Sequence, residues 1–220
     1  MNYKMRKDTI KDIPFIVETV IEAEKSGTSK LGLATLFHLK EIEIRKYLTS
    51  IFSEEINGCE FSLSSFIVID FDGQSVAAAG GWIEGKNEDG LPSSILKANL
   101  LNYYFPKQSL FQMKERIDII SGIQIERECD SYQIEYVYIK PEFRGNGLLK
   151  TLIEAHVKQA LGCDKMFVQV FDNNKNAIKA YENVGFKVCQ SFRSDHVETK
   201  NYLPCDTKLL MIKQLKNIEL

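Results

Sequence analysis

The clearest chemistry in the chain lies in Tyr136-Val137-Tyr138-Ile139-Lys140-Pro141-Glu142-Phe143-Arg144-Gly145-Asn146-Gly147-Leu148-Leu149. An apolar, strand-like run meets a proline turn, and Arg-Gly-x-Gly then enters a helical pattern. The start of a helix leaves backbone N–H groups without intrahelical partners, at the positive end of the helix dipole. An anion, most naturally a phosphate, satisfies them. Gly145 and Gly147 let the backbone approach it closely, and Arg144 adds a cation beside it. A P-loop is excluded, because it needs Gly directly before Lys-Ser/Thr, and here Lys150-Thr151 follows Leu149. A dinucleotide fingerprint fits poorly. Its third glycine position is Lys150, and the acidic Asp164 precedes the next strand instead of ending it.

Such a turn needs a strand before it and a helix after it, and the flanking patterns supply both. Gln133–Ile139 reads as a strand and Gly147–Leu161 as a helix, with Leu149, Leu152, Ile153, His156 and Ala160 as its inward stripe. A strand over Met166–Phe171 and a helix over Asn174–Val184 follow, with Asn174 as N-cap and Gly185 at the C′ position. Phe186–Phe192 and Thr207–Lys213 read as two closing strands. Upstream, Lys4–Ile10 suits a short edge strand. Asp12 then offers an N-cap, with Pro14 in the first turn of a helix that carries Ile13, Ile16, Val17, Val20 and Ile21 inward and ends near Gly27. A second helix is expected over Leu36–Phe52, then a hairpin in which Ser65–Phe71 and Gln74–Ile83 flank Asp72-Gly73. The small run Ala77-Ala78-Ala79-Gly80-Gly81 admits a close neighbour or ligand, a bulge, or plain packing. Beyond it, Glu84–Pro92 is expected as an exposed loop and Ser94–Tyr104 as a helix ended by Pro106, with short elements after it.

The 220 residues, 44% hydrophobic and 26% charged, suit one domain spanning 1–220, with 84–130 as an elaboration between the third and fourth core strands. A net charge of −2 gives no support to nucleic-acid or anionic-membrane binding. The five cysteines are scattered without a CxxC pair and the three histidines lie far apart, so neither a metal site nor a disulfide framework is expected. Reduced thiols fit a cytoplasmic location. The polar stretch Met1–Asp12 does not read as a signal peptide, and no apolar run has the length of a membrane span.

Two segments, in order and separated by a helix and a strand, resemble the GCN5-related N-acetyltransferase (GNAT) family. Pro141-Glu142-Phe143-Arg144-Gly145-Asn146-Gly147 is similar to the family's P-x-x-R-G-x-G. Asn174 to Phe186 is similar to N-x-x-A-x-x-x-Y-x-x-x-G-F, with Ala177, Tyr181 and Gly185 in register. The resemblance covers about Gln133 to Phe186, and the opening of the chain matches more weakly. It implies an α/β, single-domain acyl-CoA N-acyltransferase fold, with a mixed, mostly antiparallel sheet of six or seven strands flanked by helices. It also implies acetyl-CoA as co-substrate and no metal. The pyrophosphate would sit on the N–H groups of Arg144, Gly145, Asn146, Gly147, Leu148 and Leu149. Pantetheine would pair with the main chain of Val137 and Ile139, and an N–H near Val137–Tyr138 would face the developing oxyanion. Asn174 and Ala177 would border the coenzyme, and Tyr181 would protonate the departing thiolate. Tyr181 also lies on an apolar stripe and reads equally as a core aromatic. The family usually has Gly or Ala where this chain has Leu149, which predicts a small local repacking.

For the general base, Glu135 is the first candidate. Strand alternation places it on the face of Val137 and Ile139, and Glu24 and Glu84 follow it. His156 reads as a core histidine, Cys189 as a small core residue, and Trp82 as packing or as a wall of an acceptor pocket. The resulting expectation is acetyl transfer from acetyl-CoA to a primary amine, on a small molecule or peptide, by direct attack in a ternary complex. A non-catalytic acetyl-CoA sensor and a protein-interaction module on the same scaffold stay open. So does the oligomeric state, a homodimer included.

Overall fold

Asp72 and Gly73, at φ 49° and 80°, close the hairpin predicted between Phe66–Phe71 (β2) and Gln74–Ile83 (β3). The computed structural model describes residues 3–54 and 56–215; residues 1–2, 55 and 216–220 of the expected 1–220 domain lie outside the described residues. Around the hairpin stand β1 (Tyr3–Lys7), β4 (Tyr132–Ile139), β5 (Lys165–Phe171), β6 (Lys187–Arg193) and β7 (Thr207–Gln214). They form one seven-stranded sheet in the order β1-β2-β3-β4-β5-β7-β6. Every pairing is antiparallel except that of β4 with β5.

Helices cover both faces. On one lie α1 (Ile13–Lys25), α2 (Gly32–Phe37), α3 (Glu41–Phe52), α4 (Ser93–Tyr104), α5 (Lys107–Glu115) and α6 (Ile117–Ile120). Their apolar side chains share one core with Phe66, Val68, Ala78, Tyr136 and Phe171. On the other lie α7 (Leu148–Gln159) and α8 (Lys175–Asn183), packed on Ile134, Val168, Val170 and Met211 and, nearer the hairpin, on Ile67, Ile69, Ala77 and Ala79. A last turn, α9 (Thr199–Tyr202), joins β6 to β7.

Several local expectations change. The helix expected over Leu36–Phe52 is two helices, because His38 takes the left-handed conformation (φ 54°) and ends α2. α3 restarts where the Glu43 carboxylate accepts from the Lys40 N–H at 2.9 Å. Asp12 precedes α1 but does not cap it. Its carboxylate accepts from both Arg6 terminal nitrogens (2.7 and 2.8 Å) and from the Thr9 N–H (2.8 Å), while Arg6 Nε reaches Asp70 at 2.6 Å. One guanidinium thus ties β1, the start of α1 and β2 together. The small run in β3 makes room for a neighbour. A Cβ on Gly81 would stand 2.7 Å from both His156 Nδ1 and Tyr132 Cε1.

Candidate active site

The register of β3 against β4 slips between Ala78 and Gly80. Gly80 faces Glu135 and Ala78 faces Tyr138, so Tyr136 and Val137 together oppose Ala79. This is a β-bulge, and Tyr136 carries the positive φ (53°) that it needs. The extra residue breaks the alternation assumed for Glu135. Glu135 and Tyr136 leave β4 toward α1, whereas Val137 and Ile139 face α7. Glu135 therefore does not share a face with Val137. The bulge also bends β4 away from β5, whose pairing covers only Tyr132, Gln133 and Ile134. From Glu135 to Ile139 that edge of β4 is open, apart from the Ile139 carbonyl, which accepts from Arg144 Nε at 3.1 Å.

Above this wedge the chain turns into α7 as the motif predicts. Gly145 and Gly147 stand at φ 81° and 75°, and a Cβ on either would meet nothing within 4 Å. Asn146 braces the turn, its Nδ2 donating to the Phe143 carbonyl at 3.0 Å. α7 has Gly147 as N-cap and no side-chain cap, so its first N–H groups point outward without partners. Leu149 turns inward and packs with the cluster that contains Tyr181 and Ile153, leaving only its backbone at the turn. A diphosphate fits this cradle: the donors are unpaired, the glycine surfaces are open and the dipole has the right sign. Across the wedge, Asn174 caps α8 by accepting from the Ala177 N–H at 3.2 Å, and its amide donates to Ser26 Oγ at 3.2 Å. That contact ties the end of α1 to the wedge.

The cradle and the wedge open into one cavity of about 1200 Å³ that passes between β4 and β5. On the α7–α8 side it is lined by Val137, Leu149, Ala177 and Tyr181, and on the α1 side by Glu24, Glu60, Lys97, Arg127, Glu135 and Lys208. Tyr181 packs edge-on against Phe186, and its hydroxyl has no hydrogen-bond partner among the described residues. Burial pushes its phenol pKa well up, so the group keeps its proton at neutral pH. On the α1 side most charges are paired. Glu60 accepts from Lys97 (3.0 Å) and Arg127 (3.2 Å), and Arg127 also reaches Glu135 at 2.5 Å. Burial alone would raise the Glu60 carboxyl, but Lys97 and Arg127 together hold it well below the usual carboxylate range. Among the described residues Glu24 has no such cation within ion-pair distance; the Tyr136 hydroxyl donates to it at 3.4 Å, and burial raises its pKa.

Of three further side chains weighed from sequence, Glu84 borders the cavity but is held by structural contacts, and His156 and Cys189 lie outside it. Glu84, expected in an exposed loop, is only 4% exposed. It accepts from Trp82 Nε1 (3.0 Å) and from the Ser93 N–H and Oγ (2.7 and 2.6 Å), and so caps α4. His156 is a core residue. Its Nε2 donates to the Ala79 carbonyl at 3.1 Å, which leaves Nδ1 to accept from the Tyr132 hydroxyl at 2.8 Å. Cys189 is exposed on the edge strand β6. Arg127, Glu60 and Lys97, which join Glu135 in one cluster, and also Lys208, were missed. They are scattered in sequence and no spacing rule joins them.

Among the described residues no group of His, Cys, Asp and Glu is placed to hold a metal, and no helix is long and apolar enough to cross a membrane. A splayed β4–β5 pair beneath an uncapped, glycine-opened helix start is the architecture of a coenzyme A-binding acyltransferase. Residues 36–186, more than half of the chain, match the Acetyltransferase (GNAT) family, and the chain belongs to that family. A 54-residue stretch, 24% of this chain, is 37% identical to thialysine N-epsilon-acetyltransferase of Sus scrofa; it spans 32% of that relative's length. An N-acetyltransferase structure from Staphylococcus aureus Mu50 superimposes with a TM-score of 0.68 at 14% identity, over 95% of this chain and 99% of that one. A putative acetyltransferase from Salmonella typhimurium, solved with its cofactor acetyl-CoA, gives 0.53 at 13% identity, over 98% and 96%. At such identities these structures share the fold.

Proposed function

We propose that this chain transfers the acetyl group of acetyl-CoA to a primary amine by direct attack in a ternary complex. The observation that carries the reading is the single cavity through the β4–β5 wedge. Its α7 end is an anion cradle and its α1 end is lined by carboxylates suited to a cationic amine. The N–H groups of residues 144–149 would hold the diphosphate, with Asn174 and Ala177 flanking the pantetheine arm and the open edge at Val137–Ile139 pairing with its amides. A bulge N–H near Val137–Tyr138 would stabilise the oxyanion.

Of the carboxylates in the cavity, Glu24 suits the general base better than Glu135. Glu24 is desolvated and has no cation within ion-pair distance, whereas Arg127 competes for the Glu135 lone pairs. Glu24 takes one proton from the ammonium, the free nitrogen forms the C–N bond to the acetyl carbonyl carbon, and that nitrogen gives up its second proton as the tetrahedral intermediate collapses. The C–S bond breaks with its electron pair on sulfur. Tyr181, which burial keeps protonated at neutral pH, donates to that sulfur, and the second proton released by the nitrogen returns through water to the phenolate.

The test is calorimetry with acetyl-CoA, followed by a free-thiol release assay across a panel of amines. Tyr181→Phe should leave acetyl-CoA affinity unchanged and lower kcat by about 10²-fold. Unchanged turnover removes Tyr181 from the chemistry. Binding without turnover by any amine supports a sensor, and absence of binding sinks the reading.

A further inference from the structure

Among the described residues, Lys208 and Glu24 are charges of opposite sign that line the acceptor half of the cavity without an ion-pair partner. Lys97 and Arg127 are neutralised by Glu60 and Glu135. Lys208 is not. It pairs with Phe171 across β5 and β7, so both side chains leave the same face of the sheet, and its ammonium lies 5.1 Å from the centre of the Phe171 ring. It has no hydrogen-bond acceptor or ion-pair partner among the described residues, although it lines the cavity. Glu24 lines the same space from α1 with only the long contact to the Tyr136 hydroxyl, and no oxygen of Glu24 lies within 4 Å of Lys208.

Holding two opposite charges apart in a partly desolvated space is costly unless something offsets both. Burial pushes the Lys208 pKa down and the Glu24 pKa up; Lys97 and then Lys208 oppose the rise at Glu24, and Glu24 and then Glu135 oppose the fall at Lys208. They therefore feel each other without touching. A ligand with a cation at one end and an anion at the other would offset both. An amine without an anion leaves Lys208 unpaired.

Resting on the reading of this cavity as the acceptor site, we propose that the acceptor is a small amino acid-type zwitterion, with its amine directed to Glu24 and its carboxylate read by Lys208. A small molecule is favoured over a peptide because the 84–130 segment walls this side of the cavity through Leu101, Met113, Ile120 and Ile123.

The test compares free amino acids with their carboxamides as acceptors for the intact protein and acetyl-CoA, reading thiol release. Equilibrium binding of each pair in the presence of coenzyme A gives a readout independent of turnover. A charge-assisted contact to Lys208 predicts a kcat/KM for the acid roughly 10- to 100-fold above that of the amide. Lys208→Gln should bring that ratio close to one, chiefly by loss on the acid, and Lys208→Arg should retain most of it. If a variant fails to fold, the wild-type ratio still decides. Equal use of acid and amide, an equal loss on both in Lys208→Gln, or acetylation of peptides alone would overturn the proposal and leave acetyl transfer standing. No thiol release with any acceptor would remove the acetyltransferase reading, and this proposal with it.

Discussion

Gly147→Ala separates the cradle's role in binding from its role in folding. At φ 75° and ψ 8° a Cβ costs about 1–2 kcal/mol of backbone strain. No further packing penalty arises, because that Cβ would meet nothing within 4 Å. In a chain of this length the loss lowers Tm by about 2–8 °C, and a domain stable by about 5–15 kcal/mol remains folded. Binding suffers differently. Relief of the strain turns the residue toward negative φ and rotates the first N–H of α7 away from the diphosphate. Loss of one such charge-assisted bond costs about 1.5–3 kcal/mol, or roughly 10- to 150-fold in Kd. Thermal melts with and without acetyl-CoA read both effects. At a concentration near 100 times the wild-type Kd the ligand stabilises wild type by about 2.7 kcal/mol, whereas a variant weakened about 30-fold gains only about 0.9 kcal/mol. Gly162→Ala is the control. It has the same left-handed backbone (φ 82°) and the same open surroundings, but it lies beyond the far end of α7, roughly 18 Å away along the helix. It should lose intrinsic stability and keep the full ligand-induced shift. Equal ligand-induced shifts in wild type and Gly147→Ala would refute the cradle.

Other expectations follow from the core. Burial holds the His156 imidazole near 4, below its ordinary 6.5, so it is neutral in the folded state where the unfolded chain takes up a proton. Stability is therefore full above about pH 6.5 and falls by about 3 kcal/mol as the pH drops to 4; urea midpoints against pH check this, and a folded-state imidazole that titrates near 6.5 by NMR contradicts it. Gly81→Ala forces a methyl into the His156–Tyr132 contact and should cost about 1–3 kcal/mol, read as a lower urea midpoint; an unchanged midpoint would mean that the pair has slack. Glu84→Ala removes the acceptor of Trp82 and the cap of α4 and should cost about 2–4 kcal/mol. Trp82 is the only tryptophan, so its emission reports the change directly, and an unaltered spectrum with unaltered stability would contradict the contact.

Much of the fold was legible because it rests on short-range rules. Asp72-Gly73 specifies a hairpin, Asn174 caps α8 in the structure as its residue type predicts, and the Arg144–Gly147 turn enters α7 at the expected place. The failures have local causes too. His38 in the left-handed region splits one predicted helix, and polarity marked Glu84 as exposed although the Trp82 and Ser93 donors bury it. Strand alternation misassigned the face of Glu135 because one extra residue at Tyr136 reverses it, and a bulge leaves no composition signature.

By itself the sequence determined the glycine-turn end of the cavity. Its parts lie in two short segments, and their geometry follows from positive-φ glycines, a helix start and an N-cap, all set within a few residues. The charged α1 end was decided only in three dimensions. Glu24, Glu60, Lys97, Arg127, Glu135 and Lys208 come from six separate segments. Which of them neutralise one another and which stay unpaired depends on how the sheet, α1 and the 84–130 segment pack together, because charge pairing depends on distance in space, which sequence separation does not encode.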